Sequence, residues 1–96
     1  MGREMTGYLS TNDAAIIAEA AFAPFRCVAK RHDYGNRLNF RVFDQNDEPI
    51  LTVEDLVTSQ FSDMNRLTDV LSSARQNLIE RGYALLPWDP RKPAFQ

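Results

Sequence analysis

The chain has 96 residues, of which 44% are hydrophobic and 25% charged, and its formal net charge at pH 7 is −2. This length and balance fit one globular domain and exclude a disordered or fibrous chain, while the small negative charge argues against wholesale binding of nucleic acid or acidic membranes. We therefore expect a single domain over residues 1–96, with a loose lead-in over 1–9 and a mobile tail over 89–96.

Cysteine content and hydropathy bear on the cellular compartment. Cys27 is the single cysteine, so the chain cannot form an internal disulfide or an all-cysteine metal site. The first ten residues contain no apolar run typical of a signal peptide, and no later segment approaches the roughly 20 apolar residues of a membrane span. We expect a cytoplasmic protein that does not bind membranes.

A first helix is expected from about Asn12 to Ala23. Ser10 or Thr11 stands just before an alanine-rich run, where its hydroxyl can cap free N–H groups, and Pro24 ends the run. One face of this helix is apolar and small, and it comprises Ala14, Ile17, Ala18 and Ala21.

From Phe25 onwards the hydrophobic period changes from that of a helix to that of strands. Apolar residues alternate with their neighbours in two runs on either side of the turn Tyr34-Gly35-Asn36, which predicts a hairpin. The inward sets are Phe25, Cys27 and Ala29, then Leu38, Phe40 and Val42. A second turn over residues 44–49 leads to a third strand over 50–53, so we predict an antiparallel meander. Residues 54–61 either continue this strand through a bulge or form an irregular link.

The clearest pattern lies between Ser62 and Gly82. Steps of three and four residues separate Met64, Leu67, Leu71, Ala74 and Leu78, which is the apolar stripe of an amphipathic helix. Ser62 or Asp63 can cap its first turn, and Arg81 and Gly82 suit its last turn. The element order predicts an α+β fold, a two-layer α-β-β-β-α domain with helices on one face of a three-stranded meander.

The other face of the predicted sheet is left open. It displays a mixed basic and apolar set of residues: Arg26, Val28, Lys30, His32, Asn39, Arg41 and Phe43. Bases predominate over residues 25–41 and acids over residues 42–71. The candidates for contacts to nucleic acid are Arg26, Lys30, Arg37 and Arg41, with Tyr34 as an aromatic that could stack on bases. The alternative is that these long side chains only cover the open face and keep it soluble.

We find no set of residues in this sequence with the spacing of a catalytic or metal-binding site. Cys27 and His32 lie five residues apart on one strand, so they point to opposite faces and cannot form a nucleophilic dyad. Polar residues alternate over residues 44–48 as in a calcium loop, but Pro49 stands where that loop needs glycine. We expect no catalytic residues, no metal and no cofactor, and a site formed across an oligomer interface is the remaining route to enzyme activity.

The C-terminal segment offers a third kind of surface. Leu85, Leu86 and Trp88 are candidate partner-binding residues, because tryptophan is enriched at interface hot spots. The alternative is that Trp88 folds back over its own core. The meander also leaves two edge strands, whose pairing would give a homodimer. The leading hypothesis is a small non-enzymatic domain that binds a protein partner or a copy of itself, with nucleic-acid binding as the alternative.

Short motifs also carry a family resemblance. The stretches AFAPFRC (Ala21 to Cys27) and FRVFD (Phe40 to Asp44), with the segment that ends in the long helix, resemble a family of short pseudomonad proteins known as a domain of unknown function. The resemblance covers residues 14–82. It implies a bacterial cytoplasmic protein, and it transfers no functional residues to this chain.

Overall fold

The computed structural model describes residues 9–89. Its elements are helix α1 (Thr11–Ala20), strands β1 (Arg26–His32), β2 (Arg37–Phe43) and β3 (Pro49–Val57), the short helix α2 (Thr58–Phe61) and the long helix α3 (Met64–Glu80). The strands form one antiparallel sheet in the order β1-β2-β3, which confirms the predicted meander. The expected lead-in and tail fall largely on residues 1–8 and 90–96, outside the described residues. Between residues 9 and 89, no helix is long and apolar enough to cross a membrane.

Helix α1 begins where the sequence indicated. The Ser10 Oγ accepts a hydrogen bond of 3.0 Å from the Asp13 N–H, which satisfies one of the free donors of the first turn. Ala14, Ala18 and Ala21 are fully buried. Their small side chains allow α1 to lie close to β1, the element with which it makes most of its contacts.

The end of α1 differs from the expectation. The helix stops at Ala20 rather than Ala23, and residues 21–24 form a turn instead. The residue before a proline is disfavoured in helical geometry, so the break comes ahead of Pro24. The turn also places Phe22 in the core, where it is fully buried, and the Phe22 carbonyl accepts the Phe25 N–H at 2.9 Å.

Strand β3 continues through a bulge, which is one of the two interpretations left open by the sequence. The register shift leaves Glu54 and Asp55 opposite the single residue Asn39 of β2. Asp55 has a left-handed φ of 61°, and its N–H donates to the Asn39 Oδ1 at 2.8 Å. The extra residue returns Leu56 to the buried face of the sheet.

Helix α3 is the amphipathic helix expected from the long apolar stripe. The Asp63 carboxylate caps it by accepting the N–H groups of Asn65 and Arg66. Gly82 follows the helix with a φ of 98°, a conformation that glycine adopts without steric cost. The buried stripe comprises Leu67, Leu71, Ala74 and Leu78.

The helices and the inner face of the sheet meet in one core. The sheet contributes Cys27, Leu38, Phe40, Val42 and Leu56, and these pack with Phe22, with Phe61 of α2 and with the α3 stripe. The rings of Phe22 and Phe40 lie 5.5 Å apart between their centroids. The two-layer α+β architecture with helices on one sheet face is therefore confirmed, although the sequence did not predict α2.

Candidate functional site

The sheet face opposite the helices is concave and encloses a groove of about 430 Å³, the open-face groove. All three strands line it, through Arg26, Val28, Lys30, His32, Asn39, Phe40, Arg41, Phe43, Thr52 and Glu54. Every residue that the strand period assigned to the open face is in this set. The sequence-based set did not include Thr52, which lies within the predicted third strand, or Glu54, which lies in the stretch whose structure the sequence left open.

The antiparallel register sets the pattern of charges in the groove. Arg41 of β2 lies opposite Val28 of β1, and Lys30 lies opposite Asn39. Residues on one face of a strand are about 6.6–6.8 Å apart, and diagonal neighbours on adjacent strands about 7–8 Å. Arg26, Arg41 and Lys30 therefore alternate between the two strands along the groove.

Intramolecular contacts occupy the Arg26 end of the groove. The Arg26 Nη2 lies 3.1 Å from the Asp47 Oδ1, and the guanidinium lies 4.3 Å from the centre of the Phe43 ring. Both charged side chains are more than half exposed, so this ion pair contributes little to stability. It does neutralise Arg26 and it covers one face of Phe43.

The centre of the groove holds cations with free donors. The Arg41 Nε donates to the Thr52 Oγ1 at 3.1 Å, which fixes the guanidinium over the sheet. Within residues 9–89, neither the Arg41 terminal Nη groups nor the Lys30 ammonium has a hydrogen bond or an ion pair. These two side chains are thus available to a ligand.

Of the residues suggested for nucleic-acid contacts, Arg37 and Tyr34 lie outside the groove. Arg37 stands at the start of β2, where its Nη1 donates to the Asn36 carbonyl at 3.2 Å. Tyr34 is fully exposed at the tip of the β1–β2 turn, with a left-handed φ of 55°. The structure therefore assembles Arg26, Lys30 and Arg41 in one surface and places the free aromatic ring elsewhere.

No family model, curated protein or solved structure matches this chain. The resemblance to a pseudomonad family therefore stays a prediction. What the groove binds has to be inferred from its own side chains.

Cys27 and His32 are separated as the strand period predicted. Cys27 is buried in the core, whereas His32 lines the groove on the opposite face of the sheet. Burial, with a smaller contribution from the negative charge of Glu19, raises the pKa of the Cys27 thiol from 9.0 to about 12. The thiol is therefore protonated at neutral pH and is a poor nucleophile.

The acidic β2–β3 turn uses its carboxylates for local structure. The Asp44 Oδ1 accepts the N–H groups of Asn46 and Glu48 at 2.8 and 3.0 Å, which is the hydrogen bonding of an Asx turn. In the described part of the chain, no group of three histidine, cysteine, aspartate or glutamate side chains is placed to hold a metal ion.

The C-terminal segment packs back on the domain. Leu85 and Trp88 are partly buried against the core, while Leu86 keeps 53% of its surface exposed. The Leu86 N–H donates to the Ala23 carbonyl at 2.8 Å, which joins the segment to the turn after α1. Of the three candidate partner-binding residues, Leu86 is therefore the exposed one.

Arg75 of α3 holds this segment in place. Its Nη1 donates to the Ala21 carbonyl at 2.7 Å and its Nη2 to the Leu86 carbonyl at 3.0 Å. The guanidinium also lies 5.6 Å from the centre of the Trp88 ring, within the range of a cation–π contact. Burial lowers the pKa of Arg75 below its usual value. One side chain thus links α1, α3 and the C-terminal segment.

Proposed function

We propose that this chain is a small non-enzymatic domain that binds a protein partner through the open-face groove. The observation that carries the proposal is a concave sheet face, uncovered by the helices, on which basic and apolar side chains alternate. Concave surfaces of mixed character are where proteins bind ligands and partners, because they provide both buried contact area and orienting polar groups.

A binding role without catalysis is supported by the environment of the single cysteine. Cys27 lies in the core with its pKa raised to about 12, and His32 faces the other side of the sheet. A thiol in this environment has neither the thiolate nor the adjacent base that covalent catalysis requires. A cytoplasmic location belongs to the same proposal, since a reducing compartment suits a chain with one free cysteine.

The sheet edges favour a different protein over a second copy as the partner. At the outer edge of β1, the Ala29 N–H donates to the Glu19 carboxylate at 3.0 Å, so this backbone donor is already used. The β3 edge carries Pro49, the charged residue Glu54 and the bulge at Asp55. Proline, charge and bulges are features by which edge strands avoid pairing with another sheet.

Site-specific photo-crosslinking tests the proposal. A photoreactive amino acid replaces Val28 in the groove, and in a matched control it replaces Ser72, which is exposed on α3. In a lysate of the cells in which the protein occurs naturally, we expect position 28 to give an adduct with one defined protein and position 72 to give none.

We expect the adduct at position 28 to disappear when Arg41→Glu is added to the same protein. Without Arg41→Glu, we expect the same adduct to form with the purified partner. Equal adducts at both positions, adducts at position 72 alone, or none at either position would contradict the proposal. Circular dichroism of each variant verifies that the fold is intact.

A further inference from the structure

We infer that the groove takes an extended acidic segment, with carboxylates on alternate residues, along β1 and β2. This inference rests on the proposed function, because it names the chemistry of the partner that the groove would recognise. The occupant is a stretch of another protein, and its recognition is electrostatic.

The free charges of the groove are complementary to those of an acidic segment. Lys30 and Arg41 have donors free within residues 9–89, whereas Arg26 is already paired with Asp47. Two unpaired cations over a shared surface favour two carboxylates. Glu54 on the β3 side of the groove repels an acidic ligand, which directs the segment towards β1 and β2.

The spacing of these two cations matches that of alternate side chains in an extended segment. Lys30 and Arg41 are diagonal neighbours on adjacent strands, because Lys30 lies opposite Asn39. That diagonal is about 7–8 Å, close to the spacing of about 6.6–6.8 Å between alternate side chains of an extended chain. Carboxylates on alternate residues can therefore reach both cations at once. Val28, which lies opposite Arg41, gives the segment an apolar contact beside them.

The same surface is poorly suited to nucleic acid. Bases stack on free aromatic rings, but the Phe43 ring is covered by the Arg26 guanidinium at 4.3 Å, and Tyr34 lies at the turn outside the groove. Acidic side chains at the rim, Asp47 and Glu54, would also face a continuous chain of phosphates. A peptide with separated carboxylates avoids this repulsion.

Fluorescence anisotropy with defined peptides tests the inference on the full chain. The probe is a labelled nonapeptide in which glutamate alternates with serine and valine, and its control has glutamine in place of glutamate. We expect the acidic peptide to bind, the affinity to fall with added salt, and the glutamine peptide to bind about tenfold more weakly or less.

Charge-reversal variants test whether the acidic peptide binds at Lys30 and Arg41. Lys30→Glu and Arg41→Glu should each weaken the affinity for the acidic peptide by about tenfold or more. Arg66→Glu makes the same change of charge at an exposed position of α3 and should leave affinity within about twofold. The Lys30 side chain is exposed and makes no hydrogen bond within residues 9–89, so this variant decides the result if Arg41→Glu fails to fold.

Several outcomes overturn the inference: equal binding of the glutamine peptide, no binding of the acidic peptide, or no effect of Lys30→Glu. Tighter binding of an oligothymidylate of equal charge would assign the groove to nucleic acid. Tighter binding of a helical peptide with glutamates four residues apart would exclude the extended conformation. If position 28 captures a partner protein but the acidic peptide does not bind, this inference fails while the proposed function stands.

Discussion

The burial of Cys27 has a consequence for stability at alkaline pH. Its thiol has a pKa of about 12 in the folded protein, against 9.0 without burial. Between these values the folded state holds a proton that the unfolded state has lost. The contribution of the Cys27 thiol to the free energy of unfolding is therefore fully present below about pH 9. As the pH rises towards about 12, the free energy of unfolding falls by up to about 4 kcal/mol.

Urea unfolding of the wild type and of Cys27→Ala, at about pH 8 and about pH 11, measures this loss. The two proteins share every other side chain, so effects that do not involve Cys27 cancel in the difference between them. We expect the wild type to lose more of its free energy of unfolding than the variant. An equal loss in both proteins would mean that Cys27 does not carry the effect.

Asp55 is the residue that accommodates the β3 bulge, and its φ of 61° lies in the left-handed region. A β-branched side chain is strained in this region, whereas glycine is not. We expect Asp55→Val to lower the free energy of unfolding by about 1–2 kcal/mol. Asp55→Gly should change it by less than about 0.5 kcal/mol, because relief of strain offsets the added freedom of the unfolded chain. Urea unfolding measures both, and equal effects of the two substitutions would exclude backbone strain as the cause.

At the scale of elements, the sequence predicted what short-range patterns determine. The α3 stripe and its Asp63 cap follow from spacings within a few residues, and so does the alternation that separates Cys27 from Val28. The end of α1 at Ala20 was not predicted, whereas the packing of Trp88 against its own core was one of the two alternatives that the sequence left open. Arg75 joins these two regions of the chain, because it donates to the Ala21 carbonyl, 54 residues away in sequence, and to the Leu86 carbonyl.

Arg75 should therefore determine whether the C-terminal segment stays docked. Arg75→Met keeps much of the side-chain volume but removes the donors to Ala21 and Leu86, and we expect the free energy of unfolding to fall by about 2–3 kcal/mol. Trp88 is the single tryptophan, so its emission should shift to longer wavelength as the segment detaches. Arg66→Met, on the same helix and without side-chain hydrogen bonds within residues 9–89, is the control. Identical emission in Arg75→Met and the wild type would show that Arg75 does not hold the segment.

At the scale of the whole molecule, the lining of the groove was largely predictable and its available charges were not. Strand alternation assigned Arg26, Lys30 and Arg41 to one face, and the structure places them there. Which of them are free depends on the β2–β3 turn, since Asp47 reaches back to Arg26 across 21 residues. The extent of β3 was equally hidden, because a bulge interrupts the alternation from which strands are predicted.

The oligomeric state follows from how the sheet edges are protected. The Glu19 carboxylate accepts the hydrogen bond of the Ala29 N–H at the β1 edge, and the β3 edge carries Pro49, Glu54 and the bulge. We therefore expect a monomer in solution. Size-exclusion chromatography with light scattering, at low and high salt, measures the mass. Glu54→Val removes a charge from the β3 edge and should increase association, whereas Glu80→Val, an exposed change at the end of α3, should not. A wild-type dimer that persists at both salt concentrations would mean that these features do not prevent pairing. A second copy would then replace the acidic partner as the first candidate for the uncovered face of the sheet.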